Sequence, residues 1–162
     1  MLISGFVVNG RGIATKRTSH SIEKLSQITS KKIIPGSLNF VSTFPVFLDR
    51  QKSFYKDERG FFWKGKLQGL DIIIHRWSFC PLHVFEIYAD THLRTALKID
   101  INKKISLEID DYNVDFNRHS KKMLLSWFLL WKFREKYYYS DMYFSMIGRL
   151  GLSKKFWRAH QY

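Results

Sequence analysis

The chain has 162 residues, 45% of them apolar, 25% charged and 17% aromatic, and a formal charge of +13. This composition supplies one real core and excludes a disordered polyelectrolyte. No run reaches the ~18–20 apolar residues of a membrane-spanning helix.

The charge is uneven. Residues 1–115 carry 17 Lys and Arg against 12 Asp and Glu, whereas residues 116–162 carry 10 against 2. The expected organisation is a nearly balanced folded domain over 1–115 and a basic extension over 116–162, whose natural partners are polyanions. Cys80 is the single cysteine. It can form no internal disulfide, which suits a reducing compartment. The first eight residues are too short and too mixed for a signal peptide, so the expected location is cytoplasmic.

Residues 2–8 are rich in Ile, Phe and Val and predict a first strand. They run into Asn9-Gly10-Arg11-Gly12-Ile13-Ala14-Thr15. Two glycines around one residue let backbone N–H groups turn to a common point, either as a phosphate-binding nest or as a plain hairpin turn. Lys16 and Arg17 add positive charge beside it. Residues 21–30 predict a short helix: Ser21 can cap it, Glu23 suits its positive end, and Ile22, Leu25 and Ile28 or Thr29 share a face.

Pro35-Gly36 predicts a turn feeding a strand that begins near Ser37. In an extended chain Ser37 and Asn39 point to one face and Leu38 to the other. A hydroxyl and an amide oxygen side by side can hold Mg²⁺ with phosphate oxygens and water, or they can be ordinary turn polars. Residues 49–60 are polar and read as a loop. Residues 61–65 and 70–77 predict strands, the second carrying Ile72-Ile73-Ile74 and so covered on both faces. Residues 83–89 predict a further strand, with Val84, Glu86 and Tyr88 on one face and Phe85 and Ile87 on the other. Glu86 is then either a carboxylate among apolar neighbours or an outward-facing one. Residues 90–94 open a short helix that turns Leu93, Ala96 and Leu97 toward the core. Ile105, Leu107 and Ile109 alternate cleanly as a last strand. Many short strands, short loops and two short helices predict a mainly β protein, a small β-barrel, with a helical C-terminal extension.

Gly10-x-Gly12, then Pro35-Gly36-Ser37-Leu38-Asn39, then Phe85-Glu86-Ile87 with Leu93-Arg94, occur in this order. Together, over residues 5–109, they resemble the archaeal-type CTP-dependent riboflavin kinases. The resemblance implies a six-stranded cradle-loop barrel that transfers the γ-phosphate of CTP to riboflavin, giving FMN and CDP with Mg²⁺. It implies that Gly10, Arg11, Gly12, Ile13, Ala14 and Thr15 form the nucleotide loop, completed by Thr91, His92, Leu93 and Arg94. Ser37 and Asn39 would hold Mg²⁺. Ser78 and Glu86 would face the flavin. Glu86 would orient the acceptor hydroxyl or take its proton, and Arg94 would neutralise phosphate charge. Ile13-Ala14 stand where that family has Glu-Gly, and Ile101-Asn102-Lys103 where it has Gly-Asp. Two alternatives stand beside this reading: a kinase for a sugar or polyol, and a non-catalytic barrel that binds a membrane or a protein.

The extension joins an apolar run, residues 123–133, to Tyr137, Tyr138, Tyr139, Tyr143 and Phe144, with Lys and Arg on both sides. It suits helices packed on the barrel or on a second copy, or a peripheral anchor at the inner membrane surface. Nucleic acid is the least favoured partner, since no recognised module is present. One Cys and scattered His give no zinc motif.

Overall fold

The structure, a computed structural model, describes residues 1–9, 14–77, 80 and 82–116. Within the first helix, side chains are described from His20 onward. The expected helical extension therefore lies outside the described residues.

Seven strands form one antiparallel sheet: β1 (Leu2–Val8), β2 (Leu38–Ser42), β3 (Tyr55–Asp57), β4 (Gly60–Leu67), β5 (Leu70–Arg76), β6 (Val84–Tyr88) and β7 (Lys104–Ile109). Their order is β3-β4-β5-β6-β2-β1-β7, and a further pairing of β4 with β7 closes the last six into a barrel. Closure removes the open edges that a flat sheet of this size would present. β3 extends β4 outside the ring as a short hairpin arm. Helix α1 (Ala14–Thr29) follows β1, and the single-turn α2 (Leu93–Ala96) follows β6.

Alternation along the strands makes two apolar layers. Inward-facing Phe40, Trp63, Ile74, Phe85, Ile87 and Leu107 fill the barrel. On the outside, α1 lays Ile22 and Leu25 over Phe62, Ile73 and Tyr88, with Ile33 beside them. The Ile72-Ile73-Ile74 run is thus covered on both faces, as its composition predicts. Gly5 is what allows the interior to close. A Cβ there would lie 2.3 Å from the Val41 carbonyl oxygen and 2.5 Å from the ring of Phe40.

Arg76 lies beside the inner layer. It donates from Nε to the Val84 carbonyl at 3.0 Å, from Nη1 to the Val46 carbonyl at 2.6 Å, and from Nη2 to the Leu82 carbonyl. Its guanidinium also sits 4.0 Å above the Phe85 ring. Burial pushes its pKa down to about 10, which still leaves it charged at neutral pH.

Three expectations need correction. Helix α1 begins at Ala14, not at Ser21. Ser21 is no cap: it is buried mid-helix and donates to Asp57 Oδ2 at 2.7 Å. The polar stretch 49–60 is not all loop; it holds a 3₁₀ turn at Arg50–Lys52 and β3, whose Tyr55 pairs with Phe62. In α2, Leu93 and Leu97 do pack toward the core, but Ala96 is exposed.

Candidate functional site

The strand registers bring the predicted residues onto one line. Val8 on β1 is opposite Asn39 on β2, Asn39 is opposite Glu86 on β6, and Glu86 is opposite His75 on β5. Directly opposed residues share a face of a sheet, with Cβ atoms about 5 Å apart. This face is the outer one, because Leu38, Phe40, Phe85 and Ile87, the neighbours in sequence, fill the barrel. Alternation therefore places Asn39 and Glu86 on the outer face, and the β2–β6 register sets them side by side.

Ser37 lies one residue ahead of β2 and is half-buried, whereas Asn39 is only 6% exposed. Gly36 before it has a φ of +105° and open space where a Cβ would be. That backbone conformation suits glycine and sets the turn into β2.

Thr91 and His92 follow β6, and Arg94 lies in α2. Arg94 Nη2 donates to the Val8 carbonyl at 3.2 Å, so the end of β1 and the α2 turn are tied together. The turn before β7 leans on the same end: Asn102 N–H donates to the Val7 carbonyl at 2.8 Å. Lys98, Lys103 and Lys104 are exposed around it and give this end a cationic rim, tempered by Asp90 and Asp100, with His92 exposed nearby.

Gly10, Arg11, Gly12 and Ile13 lie outside the described residues, as does Ser78. The flanks of the first loop are placed: Val8 ends β1 in the row just described, and Ala14 and Thr15 form the first turn of α1. Those two residues therefore belong to a helix start, not to the loop that the sequence predicts. The flanks of Ser78, Trp77 and Cys80, sit at the Val84 end of β6, where Cys80 Sγ contacts the Val84 carbonyl at 3.4 Å. Glu86 thus stands midway along β6, between Trp77 and Cys80 at one end and the Thr91–Arg94 segment at the other.

Glu86 is neither free nor fully outward. Its side chain is 16% exposed and takes two bonds on Oε2, from His75 Nδ1 at 2.9 Å and from Tyr88 Oη at 3.3 Å. His75 is 4% exposed, and its ring stacks on Phe62 with centroids 4.5 Å apart and 20° between the planes. Sequence reading missed His75. The available signal was alternation: two residues after Ile73, it shares that residue's covered face.

Neither a protein-family model nor a curated protein matches the sequence.

The donor set was weighed against a metal ion. Among the described residues no group of three or more His, Cys, Asp or Glu gathers as a metal site. The Ser37 hydroxyl and the Asn39 amide are neutral oxygen donors, and Glu86 opposite Asn39 is the one carboxylate of the row. Such a set fits Mg²⁺ that arrives with phosphate, because the phosphate supplies the neutralising charge. It does not resemble an all-protein carboxylate cage. Among the described residues, no helix is long and apolar enough to cross a membrane.

Proposed function

We propose that this barrel is a nucleotide-dependent phosphotransferase, passing the γ-phosphate of CTP to riboflavin to give FMN and CDP. The observation that carries the reading is the row Val8, Asn39 and Glu86, with Arg94 tied to its first member. It sets the Asn39 amide beside the Glu86 carboxylate on one face, with the Arg94 guanidinium held at the Val8 carbonyl.

The roles follow from what phosphoryl transfer needs, which is positioning and charge neutralisation more than covalent help. Ser37 and Asn39 would hold Mg²⁺, which neutralises charge on the phosphate oxygens as the γ-phosphoryl group moves. Arg94, at the cationic rim, would bind the triphosphate, and the N-terminal end of α1 would favour the same negative charge. Glu86 would accept a hydrogen bond from the acceptor hydroxyl, orient its oxygen toward the γ-phosphorus and take its proton. The bond from the γ-phosphorus to the bridging oxygen breaks, and CDP leaves with that oxygen. An acceptor would enter at the Val84 end of β6, beside Trp77 and Cys80 and on the far side of Glu86 from Arg94.

The test is a transfer assay with Mg²⁺ that crosses CTP, ATP, GTP and UTP with riboflavin and with a panel of sugars and polyols. FMN and CDP formed together support the reading. CDP formed only with a sugar or polyol keeps the site and changes the acceptor. A folded protein with no turnover on any pair overturns the reading and leaves a non-catalytic barrel, with the basic extension as its binding element.

A further inference from the structure

We infer that His75 is a positioning residue for Glu86, fixing one carboxylate oxygen so that the other is presented to the acceptor hydroxyl. This rests on the phosphotransferase reading above.

His75 costs the fold stability. Its side chain is almost entirely buried, on a face where its neighbours Phe62, Ile73 and Tyr88 are apolar or aromatic. Nε2 is buried and has no hydrogen-bond partner among the described residues. A buried polar nitrogen left unsatisfied lowers stability, and an apolar residue of similar shape would avoid that loss. A purely structural side chain here would therefore be another Phe, Ile or Leu.

What the imidazole provides in exchange is the contact of Nδ1 with Glu86 Oε2 at 2.9 Å. An ionised carboxylate only accepts, so Nδ1 is the donor in this pairing. Tyr88 Oη lands on the same oxygen, at 3.3 Å. Oε1 takes neither bond. The imidazole is itself locked: it stacks on Phe62 and meets Tyr88 at a centroid distance of 6.0 Å, under the cover of α1. A rotatable Glu thus becomes a carboxylate of fixed rotamer, one oxygen anchored to the barrel and the other left for the site. Partners that orient a reacting group through hydrogen bonds in this way typically change activity about 10–100-fold when removed.

The test uses the full chain and two substitutions. His75→Phe keeps the ring, its volume and its stack on Phe62 but deletes the donor. His75→Asn returns an N–H donor near the Nδ1 position. With the acceptor that the wild type turns over, His75→Phe is expected to lower kcat about 10–100-fold while leaving the KM for CTP within about threefold. His75→Asn is expected to recover most of the loss, although it fills the cavity less well. A His75→Phe enzyme with wild-type kcat overturns the inference. So does a loss shared equally by both variants, which would mark a packing role. If His75→Phe does not fold, long-range ¹⁵N NMR of His75 decides. An Nδ1-protonated ring whose signals move in Glu86→Gln supports the inference, and an Nε2-protonated ring overturns it. A wild-type protein inactive on every acceptor overturns the phosphotransferase reading itself, a result distinct from an active wild type indifferent to His75.

Discussion

Asn39 and Glu86 stand directly opposite each other on β2 and β6, on the outer face of the barrel. Neither strand end nor loop length sets this pairing; the ladder register does. A one-residue slip would turn both side chains into a core already filled by Phe40, Phe85 and Ile87, so packing fixes the register and with it the site.

Asn39→Ala should therefore separate chemistry from folding. The residue is buried, yet it faces away from the main core, and Ala fits a strand without strain. Mg²⁺-dependent transfer is expected to fall on the order of 100-fold or more, with the thermal midpoint lowered by only a few degrees. Undiminished turnover would remove Asn39 from the metal site.

Arg94 tests the other end of the row. Its Nη2 bond to the Val8 carbonyl uses one of five donors and holds the guanidinium at the end of β1. Arg94→Ala should raise the Kd for CTP about tenfold, read by calorimetric titration, with little change in stability. Arg94→Lys should recover only part, since a single ammonium cannot bond to the β1 end and a phosphate in the same geometry. Equal CTP affinity in all three proteins would exclude Arg94 from the nucleotide site.

The sequence carried much of this arrangement and missed the rest for physical reasons. The alternation of Phe85-Glu86-Ile87 put Glu86 on the face opposite Phe85 and Ile87, without deciding whether that face was covered, and the apolar run at 2–8 marked β1 to the residue. The start of α1 was hidden because Thr15, Lys16, Arg17, Thr18 and Ser19 offer no apolar stripe, and because Ser21 looked like a cap. Its hydroxyl is instead satisfied by Asp57, 36 residues away, which no local pattern can show. β3 was hidden by its polar composition, Tyr55-Lys56-Asp57, since it gains its place by pairing with β4. His75 closed an isoleucine run and so read as strand; its partner Glu86 lies on the next strand, 11 residues later.

Arg76 is expected to matter to stability and not to phosphate transfer. Three carbonyls, of Val46, Leu82 and Val84, accept from it, although Leu82 also accepts from the Val46 N–H and Val84 from the Cys80 thiol. Arg76→Ala would remove all three of its bonds and leave a cavity beside Phe85, so a loss of about 3 kcal/mol is expected in urea unfolding. A loss below about 1 kcal/mol would mean that water or a rearranged loop serves those carbonyls instead.

The last prediction concerns acid. His83 is fully buried, and burial, reinforced by the nearby Arg76 cation, pushes its pKa down from 6.5 to about 3. In the unfolded chain it returns to its ordinary value. Between those values the unfolded chain binds a proton that the native imidazole refuses, so falling pH favours unfolding. The stabilisation is complete above pH 6.5 and is lost as the pH drops toward 3, at about 1.4 kcal/mol per pH unit once below 6.5. Urea unfolding of the wild type and of His83→Gln at pH 7.5, 6, 5 and 4 checks this. The wild type should lose stability more steeply with acid than the variant, whose amide does not titrate. Parallel curves would mean that His83 accepts its proton in the folded barrel.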